Sequence, residues 1–224
     1  MDRKKFFDAI RPAFGGSLDA DQVKGIAALL DAGAALELHH MANVLGQVRR
    51  ETGGIMYPIK ETVAPSHKDR NPSDKDVIAR LDRAFSKGQL PWVKSPYWRD
   101  GWFGRGPIQV THKSNYDKFG VGKNDPLKPE IGAMIAVKGM RDGMFTGRKL
   151  SDYEFPRDLD NPPKTNPRRI VNGNDGSDRQ VAKFHREFAS ALELAGWGKA
   201  TVKPVAGMKP KFDWSSLFKL SNPK

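Results

Sequence analysis

Apolar residues recur along most of this chain at intervals of three and four, the spacing that lines one face of a helix. Val23, Ile26, Ala27, Leu29 and Leu30 form one such face, entered at Asp19 or Asp21 and left at Gly33. A second runs through Leu38, Met41, Ala42, Val44, Leu45 and Val48. The pair Gly53-Gly54 ends it, which predicts Glu51 in the last turn. Ser73, with an acid three residues on, marks the start of a third helix that turns Val77, Ile78, Leu81 and Phe85 inward and ends near Gly88. Pro129 suits the first turn of a fourth, carrying Ile131, Met134, Ile135, Val137 and Met140. A last strong helix, from about Asp178 to Ala195, buries Val181, Phe184, Phe188, Ala191 and Leu192 and stops before Gly196. The N-terminal run is interrupted by Asp8 and Arg11 too early for a secretory signal and predicts the first helix. Residues 97–110 are aromatic and glycine-rich, which suits a loop with a small β-hairpin. The expected fold class is mainly α.

A length of 224 residues accommodates one well-cored domain, placed at 1–200, and a short appendage at 201–224. From Lys199 onward the chain carries six lysines against one aspartate, then returns to bulky residues at Phe212, Trp214, Leu217 and Phe218. That composition describes a basic tail that docks on the domain or, in the sharper alternative, binds anionic membrane or lipopolysaccharide. There are no cysteines, so neither disulfides nor thiolate metal sites arise. No run approaches the roughly 20 apolar residues of a membrane span. A monomer made in a host cytoplasm without a signal peptide is expected.

The candidate chemistry begins at Glu51-Thr-Gly-Gly-Ile-Met-Tyr-Pro-Ile-Lys-Glu61, where two carboxylates flank a helix stop. At the negative end of a helix dipole and beside Val44 and Val48, Glu51 is expected to keep a proton, as the acid of glycoside hydrolysis must. Glu61 follows in a wetter segment and suits a base. Taken alone, two such glutamates describe a solvated helix end and a loop charge. A second segment changes the balance: Trp102-Phe-Gly-Arg-Gly-Pro-Ile-Gln-Val-Thr-His-Lys-Ser-Asn-Tyr116, followed later by Ile170-Val-Asn-Gly173. With Glu51-Thr-Gly-Gly54 these strings, in this order, resemble glycoside hydrolase family 19, which includes chitinases and phage endolysins. The short interval between the glutamates is similar to that of the endolysin branch.

The resemblance implies a lysozyme-like fold and an inverting two-carboxylate mechanism, with carboxyl groups about 6.5 to 9.5 Å apart. It makes Glu51 the general acid, Glu61 the general base and Thr111 a hydroxyl that helps hold the attacking water. Gln109, Asn115 and Asn172 match amides that bind N-acetyl and hydroxyl groups, chemistry that neutral donors and acceptors supply without competing for protons. Tyr97, Trp98, Trp102 and Phe103 are candidates to line a sugar cleft, one or two touching substrate and the rest packing beneath, and Arg105 is a candidate to contact substrate or fix that loop. Trp92 and Trp197 are expected to be structural. Where the family has histidine before the catalytic glutamate this chain has Arg50, expected to point outward.

The five histidines show no metal-ligand spacing, and neither a metal nor a cofactor is expected. The formal net charge of +12 calls for a polyanionic partner. Peptidoglycan glycan strands fit that charge better than neutral chitin, the enzyme alternative. The non-enzyme alternative is a glycan- or nucleic-acid-binding module using the Arg49-Arg50 and Arg168-Arg169 pairs, although no sequence-specific nucleic-acid motif occurs.

Overall fold

The computed structural model describes residues 1–61, 69 and 71–198. Over these, seven α-helices follow in order: α1 (Arg3–Ile10), α2 (Ala20–Ala32), α3 (Leu38–Glu51), α4 (Asp74–Ser86), α5 (Lys113–Phe119), α6 (Pro129–Asp142) and α7 (Asp178–Leu194). Two short strands, β1 (Ile59–Lys60) and β2 (Arg105–Gly106), form an antiparallel pair that sets Ile59 opposite Gly106 and Lys60 opposite Arg105. The described residues are mainly α, as the apolar spacing predicts; the small β region pairs residues 59–60 with 105–106, and of the hairpin expected within 97–110 only the Arg105–Val110 bridge forms. The tail at 201–224 and the boundary at 200 lie outside the described residues.

Local chemistry sets most helix ends. Asp19 accepts the backbone N–H of Gln22 at 2.7 Å while Gln22 Oε1 accepts the N–H of Asp19 at 2.9 Å, a reciprocal cap that opens α2. Ser73 accepts the N–H of Asp76 and opens α4. The third helix ends at Glu51, with Gly53 and Gly54 following at φ 57° and 88°, conformations open to glycine. α5 falls in a segment read from sequence only as motif. It has seven residues, too few for a periodic apolar face to declare itself.

The core is built around α3, whose residues 41–48 are all buried. Such a helix needs neighbours on every side. α7 crosses it at Gly46, where a Cβ would lie 3.1 Å from His185 N and 3.3 Å from Val181 O, so an added methyl would press the two backbones a few tenths of an ångström apart. α2 packs on α6, and α1 on α7, where the rings of Phe6 and Phe188 stack. Gly25 on α2 is tighter still: a Cβ there would fall 1.9 Å from the carbonyl oxygen of Met56, in the connection between the two glutamates. A smaller cluster joins Val77 and Leu81 of α4 to Trp98 and Phe103, and a third joins Val110, Tyr116, Phe119 and Ile135.

His185 is fully buried on α7, flanked by the stacked rings of Phe155 and His39, with His39 Nδ1 at 3.1 Å from its Nε2. Burial, reinforced by His39, Arg186 and His40, pushes its imidazole down to about 3. Because the unfolded chain binds this proton near pH 6.5 and the folded chain does not, stability is full above that pH and declines below it. Denaturant titrations should lose about 2 kcal/mol between pH 6.5 and 4.5 from this group. A His185→Leu protein should show a correspondingly flatter profile; an unchanged slope would mean the loss comes from other groups.

Candidate active site

Glu61 follows β1 directly, and the strand pairing delivers it to Gly104: the Glu61 N–H donates to Gly104 O at 2.7 Å and the Gly104 N–H donates back to Glu61 Oε2 at 2.7 Å. The other carboxylate oxygen accepts the Tyr97 hydroxyl at 2.5 Å. Burial first, then the Glu61 charge, raise the Tyr97 phenol far above its ordinary value, so it remains a donor. Each oxygen of Glu61 is thus held by one donor, and a carboxylate with about four acceptor positions keeps room for a water.

Three side chains converge on Gly104. A Cβ built there would meet Gln109 Oε1 at 2.9 Å, Glu61 Oε2 at 3.2 Å and Thr111 Oγ1 at 3.3 Å. Gln109 holds a left-handed backbone at φ 52°, rare for a non-glycine residue, and is kept there by its side-chain amide, which donates to Ile59 O at 3.1 Å and Gly106 O at 2.8 Å. Thr111 donates to Gln109 O at 2.9 Å, and Asn115, on α5, donates to Thr111 O at 2.8 Å. His112, an exposed residue at the start of α5, lies with its ring centroid 5.0 Å from that of Tyr97.

The floor under this group is ionic. Asp74, the first residue of α4, pairs through Oδ1 with Lys60 Nζ at 2.9 Å and through Oδ2 with Arg105 Nη2 at 2.8 Å, clamping the cross-strand partners of the sheet. Although burial acts the other way, Lys60 and Arg105 hold its carboxyl below the usual range. Arg105 also donates to Gly101 O at 2.9 Å and stacks on Phe103. None of Trp98, Phe103 and Arg105 keeps surface for a substrate contact, and each takes the packing or loop-fixing alternative. Trp98, Phe103 and Arg105 are each 0% exposed: Trp98 donates its indole N–H to Asp82, Phe103 packs on α4, and Arg105 braces the loop from beneath. Of the aromatic candidates Tyr97 and Trp102 keep surface, Trp102 with Lys123 over its ring at 4.7 Å. Trp197 is buried and donates to Leu36 O, whereas Trp92, expected to be structural, is 74% exposed.

Glu51 sits in a second group. Its Oε1 lies 2.6 Å from Arg168 Nη2, an ion pair in which no N–H is aimed at the oxygen, so Oε1 is buried without a hydrogen bond. Arg168 is 3% exposed and is itself held by Asp175, at 2.7 Å, and by Gln47 Oε1, at 2.7 Å, one turn before Glu51 on α3. Burial works to lower the Arg168 pKa, but Asp175 and Glu51 outweigh it and raise it; Asp175 is in turn held well below the carboxylate range, despite burial, by Arg168 and Ser177. The surroundings expected for Glu51, a helix end beside the apolar stripe of Val44 and Val48, are therefore corrected to include a buried guanidinium. Asn172 is exposed beside this network, 3.4 Å from Asp175. Gln47 shows in the sequence only as a polar residue beside the apolar stripe of α3, and Arg168 only as half of the Arg168-Arg169 pair weighed for nucleic acid.

Among the described residues no hydrogen bond or ion pair joins the Glu51 group to the Glu61 group; residues 52–60 connect them. No cluster of histidine, cysteine or carboxylate residues suited to a metal occurs among the described residues. The arginine pairs proposed for nucleic acid are partly consumed internally, Arg49 by Glu187 and Ala13 O, and Arg168 as above. No helix among the described residues is long and apolar enough to cross a membrane.

Gly104→Ala tests the convergence. Its backbone accepts alanine, so melting temperature should change little, but the new Cβ must displace Gln109, Glu61 or Thr111, and turnover on the substrate proposed below should fall on the order of 10²-fold. Unchanged turnover would remove this group from the reaction.

No family model matches the chain and no curated protein matches it. Among solved structures it is similar to chitinase C from Streptomyces griseus HUT6037, at 17% identity and a TM-score of 0.47, covering 87% of this chain and 76% of that one. A mutant of chitinase C matches over the same shares at 16% identity and a TM-score of 0.46.

Proposed function

We propose that this chain is a glycoside hydrolase on a lysozyme-like scaffold that cleaves β-1,4 bonds of bacterial peptidoglycan with inversion, as an endolysin does. The observation that carries the reading is the gathering of Glu61, Thr111 and Gln109 around Gly104, with both oxygens of Glu61 anchored and acceptor positions left open. In the reaction Glu61 draws a proton from water held with Thr111 as that water attacks the anomeric carbon. Glu51 gives its proton to the departing glycosidic oxygen. The negative charge this leaves on Glu51 forms beside Arg168, already in place at 2.6 Å, so little reorganisation is needed. Exposed Asn172 offers its amide to the sugar, while Gln109, whose two amide hydrogens go to Ile59 O and Gly106 O, offers only its Oε1, and Asn115, donating to Thr111 O, positions Thr111; Tyr97 and Trp102 offer ring surface.

The choice of peptidoglycan over chitin rests on charge, since a chain of net charge +12 gains more from an anionic wall than from a neutral polymer. Parallel assays on purified sacculi and chitin oligomers test it: faster release of reducing ends from sacculi is expected, and the reverse preference makes the protein a chitinase. Sacculus binding should weaken as salt rises, because attraction between exposed charges reaches only about 10 Å at 0.1 M, while hydrolysis of a short neutral oligosaccharide should change less. Equal salt responses on both substrates would count against attraction to the wall. Azide should rescue a Glu61→Ala protein and give a glycosyl azide of inverted configuration; absence of that product, with the wild-type protein active, would move the base elsewhere.

A further inference from the structure

Glu51 is preceded by two arginines that the fold treats differently. Arg49 is built in: its guanidinium pairs with Glu187, donates to Ala13 O, and lies between the rings of Phe14, at 4.3 Å, and Phe184, at 4.0 Å. Arg50 has no ion pair and no hydrogen bond among the described residues, and its Nε is buried without an acceptor. A buried donor left unpaired costs free energy and calls for an explanation.

Both arginines line a partly open cavity of about 210 Å³ together with Phe14, Gly53, Gly54, Gln180 and Phe184. At Gly53 and Gly54 a Cβ would meet nothing within 4 Å, so the cavity is open on the side of the helix end. Because Glu187 offsets Arg49, the cavity keeps the charge of Arg50. Successive residues of a helix are turned about 100° from one another, so Arg50 and Glu51 occupy adjacent faces of the same terminus. The acid faces Arg168, and Arg50 faces this cavity. A polymer strand that reached Glu51 and ran on past the helix end at Gly53 and Gly54 would carry its neighbouring substituents to the cavity mouth.

We propose that this cavity is a carboxylate-binding subsite of the peptidoglycan substrate, with the Arg50 guanidinium as its unpaired anchor and the ring of Phe184 as its apolar wall. The inference rests on the hydrolase reading above and deepens it: the group bound is a carboxylate of the wall polymer, carried by the stem peptide or, where a strand has lost its peptide, by the freed lactyl ether of its muramic acid. Chitin has no carboxylate at all. Occupation of the subsite gives the Arg50 guanidinium a counter-ion and makes the acid-side register of the strand depend on charge.

The test compares sacculi with sacculi whose carboxylates have been converted to methylamides. For the wild-type protein KM should rise about tenfold on amidation, with a smaller change in kcat. Arg50→Gln should show the raised KM on untreated sacculi and little further response to amidation. Lys5→Gln removes the same charge from an exposed position on α1 and should respond as wild type does, which separates a subsite from general attraction. Peptide-free glycan strands, which bear lactyl carboxylates alone, identify the source: a retained amidation response assigns the lactyl group, a lost one the stem peptide. If wild type and Arg50→Gln respond equally to amidation, the subsite is overturned while the hydrolase stands. If the wild-type protein cleaves no glycan, cosedimentation of the Glu51→Gln protein with untreated and amidated sacculi reads the cavity without turnover. Tighter binding to untreated sacculi, abolished by adding Arg50→Gln, upholds the subsite alone; equal binding overturns it. Should Arg50→Gln fail to fold, an unchanged wild-type KM on amidated sacculi still overturns it, and Arg50→Lys, expected to show a partial response, replaces the variant.

Discussion

Replacing Glu51 with glutamine should lower hydrolysis of sacculi about 10²- to 10⁴-fold, the range over which a general acid contributes, while sacculus binding and folding persist. The amide has nearly the carboxyl's shape and carries no acidic proton. The fold tolerates the change because Arg168 keeps Asp175 and Gln47 as partners, at 2.7 Å each, so no buried guanidinium is stranded. Release of reducing ends, a melting curve and cosedimentation on one preparation decide the matter. A folded Glu51→Gln protein that works at near wild-type rate would take the acid role away from this residue and leave the hydrolase proposal without its central group.

The second large effect is expected at Arg168. Arg168→Leu removes the buried member shared by Glu51, Asp175 and Gln47, leaving the Asp175 carboxylate without its cation, the Glu51 carboxyl without its neighbour and the Gln47 carbonyl without its donor. Breaking a buried pair in this way costs about 3–5 kcal/mol, which for a chain of this size lowers the melting temperature on the order of 10 °C. On the proposed reaction turnover should fall as well, since the charge left on Glu51 by proton donation then has no counterpart. Arg168→Lys keeps a cation but not the fork that reaches all three partners, and should recover part of the stability and less of the turnover. A urea titration in which Arg168→Leu loses under 1 kcal/mol would show that the network is decorative.

These two expectations differ in how much of their basis lay open in the sequence. The position of Glu51 at the end of α3 was readable because it follows from nearby residues: an apolar stripe up to Val48 and glycines at 53 and 54. The capped starts of α2 and α4 were readable for the same reason. Arg168 was not, because its meeting with Glu51 depends on how the segment before α7 lies against α3, and an arginine bound for the interior has the same local pattern as one bound for solvent. Trp98 and Phe103 went the other way. An aromatic-rich loop suits a sugar cleft and a core equally, and the apolar face of α4 decides between them by covering both rings. The small sheet also formed between distant partners, β1 and β2, since residues 59–60 carry too little alternation to announce a strand.

The connection between the two glutamates rests against a position where a side chain is missing. At Gly25 the backbone of α2 comes so close to the Met56 carbonyl that a methyl group would be 1.9 Å from it, and Met56 itself holds an uncommon backbone at φ 55°. In a single-displacement hydrolase the span from acid to base must admit one water, and a shorter span selects the double-displacement route with retention. On the proposed reaction, the stereochemical outcome would thus depend on the packing at Gly25. A substitution at Gly25 would read as a packing change on a helix remote in sequence from both acids, yet its first casualty would be the gauge of the reaction.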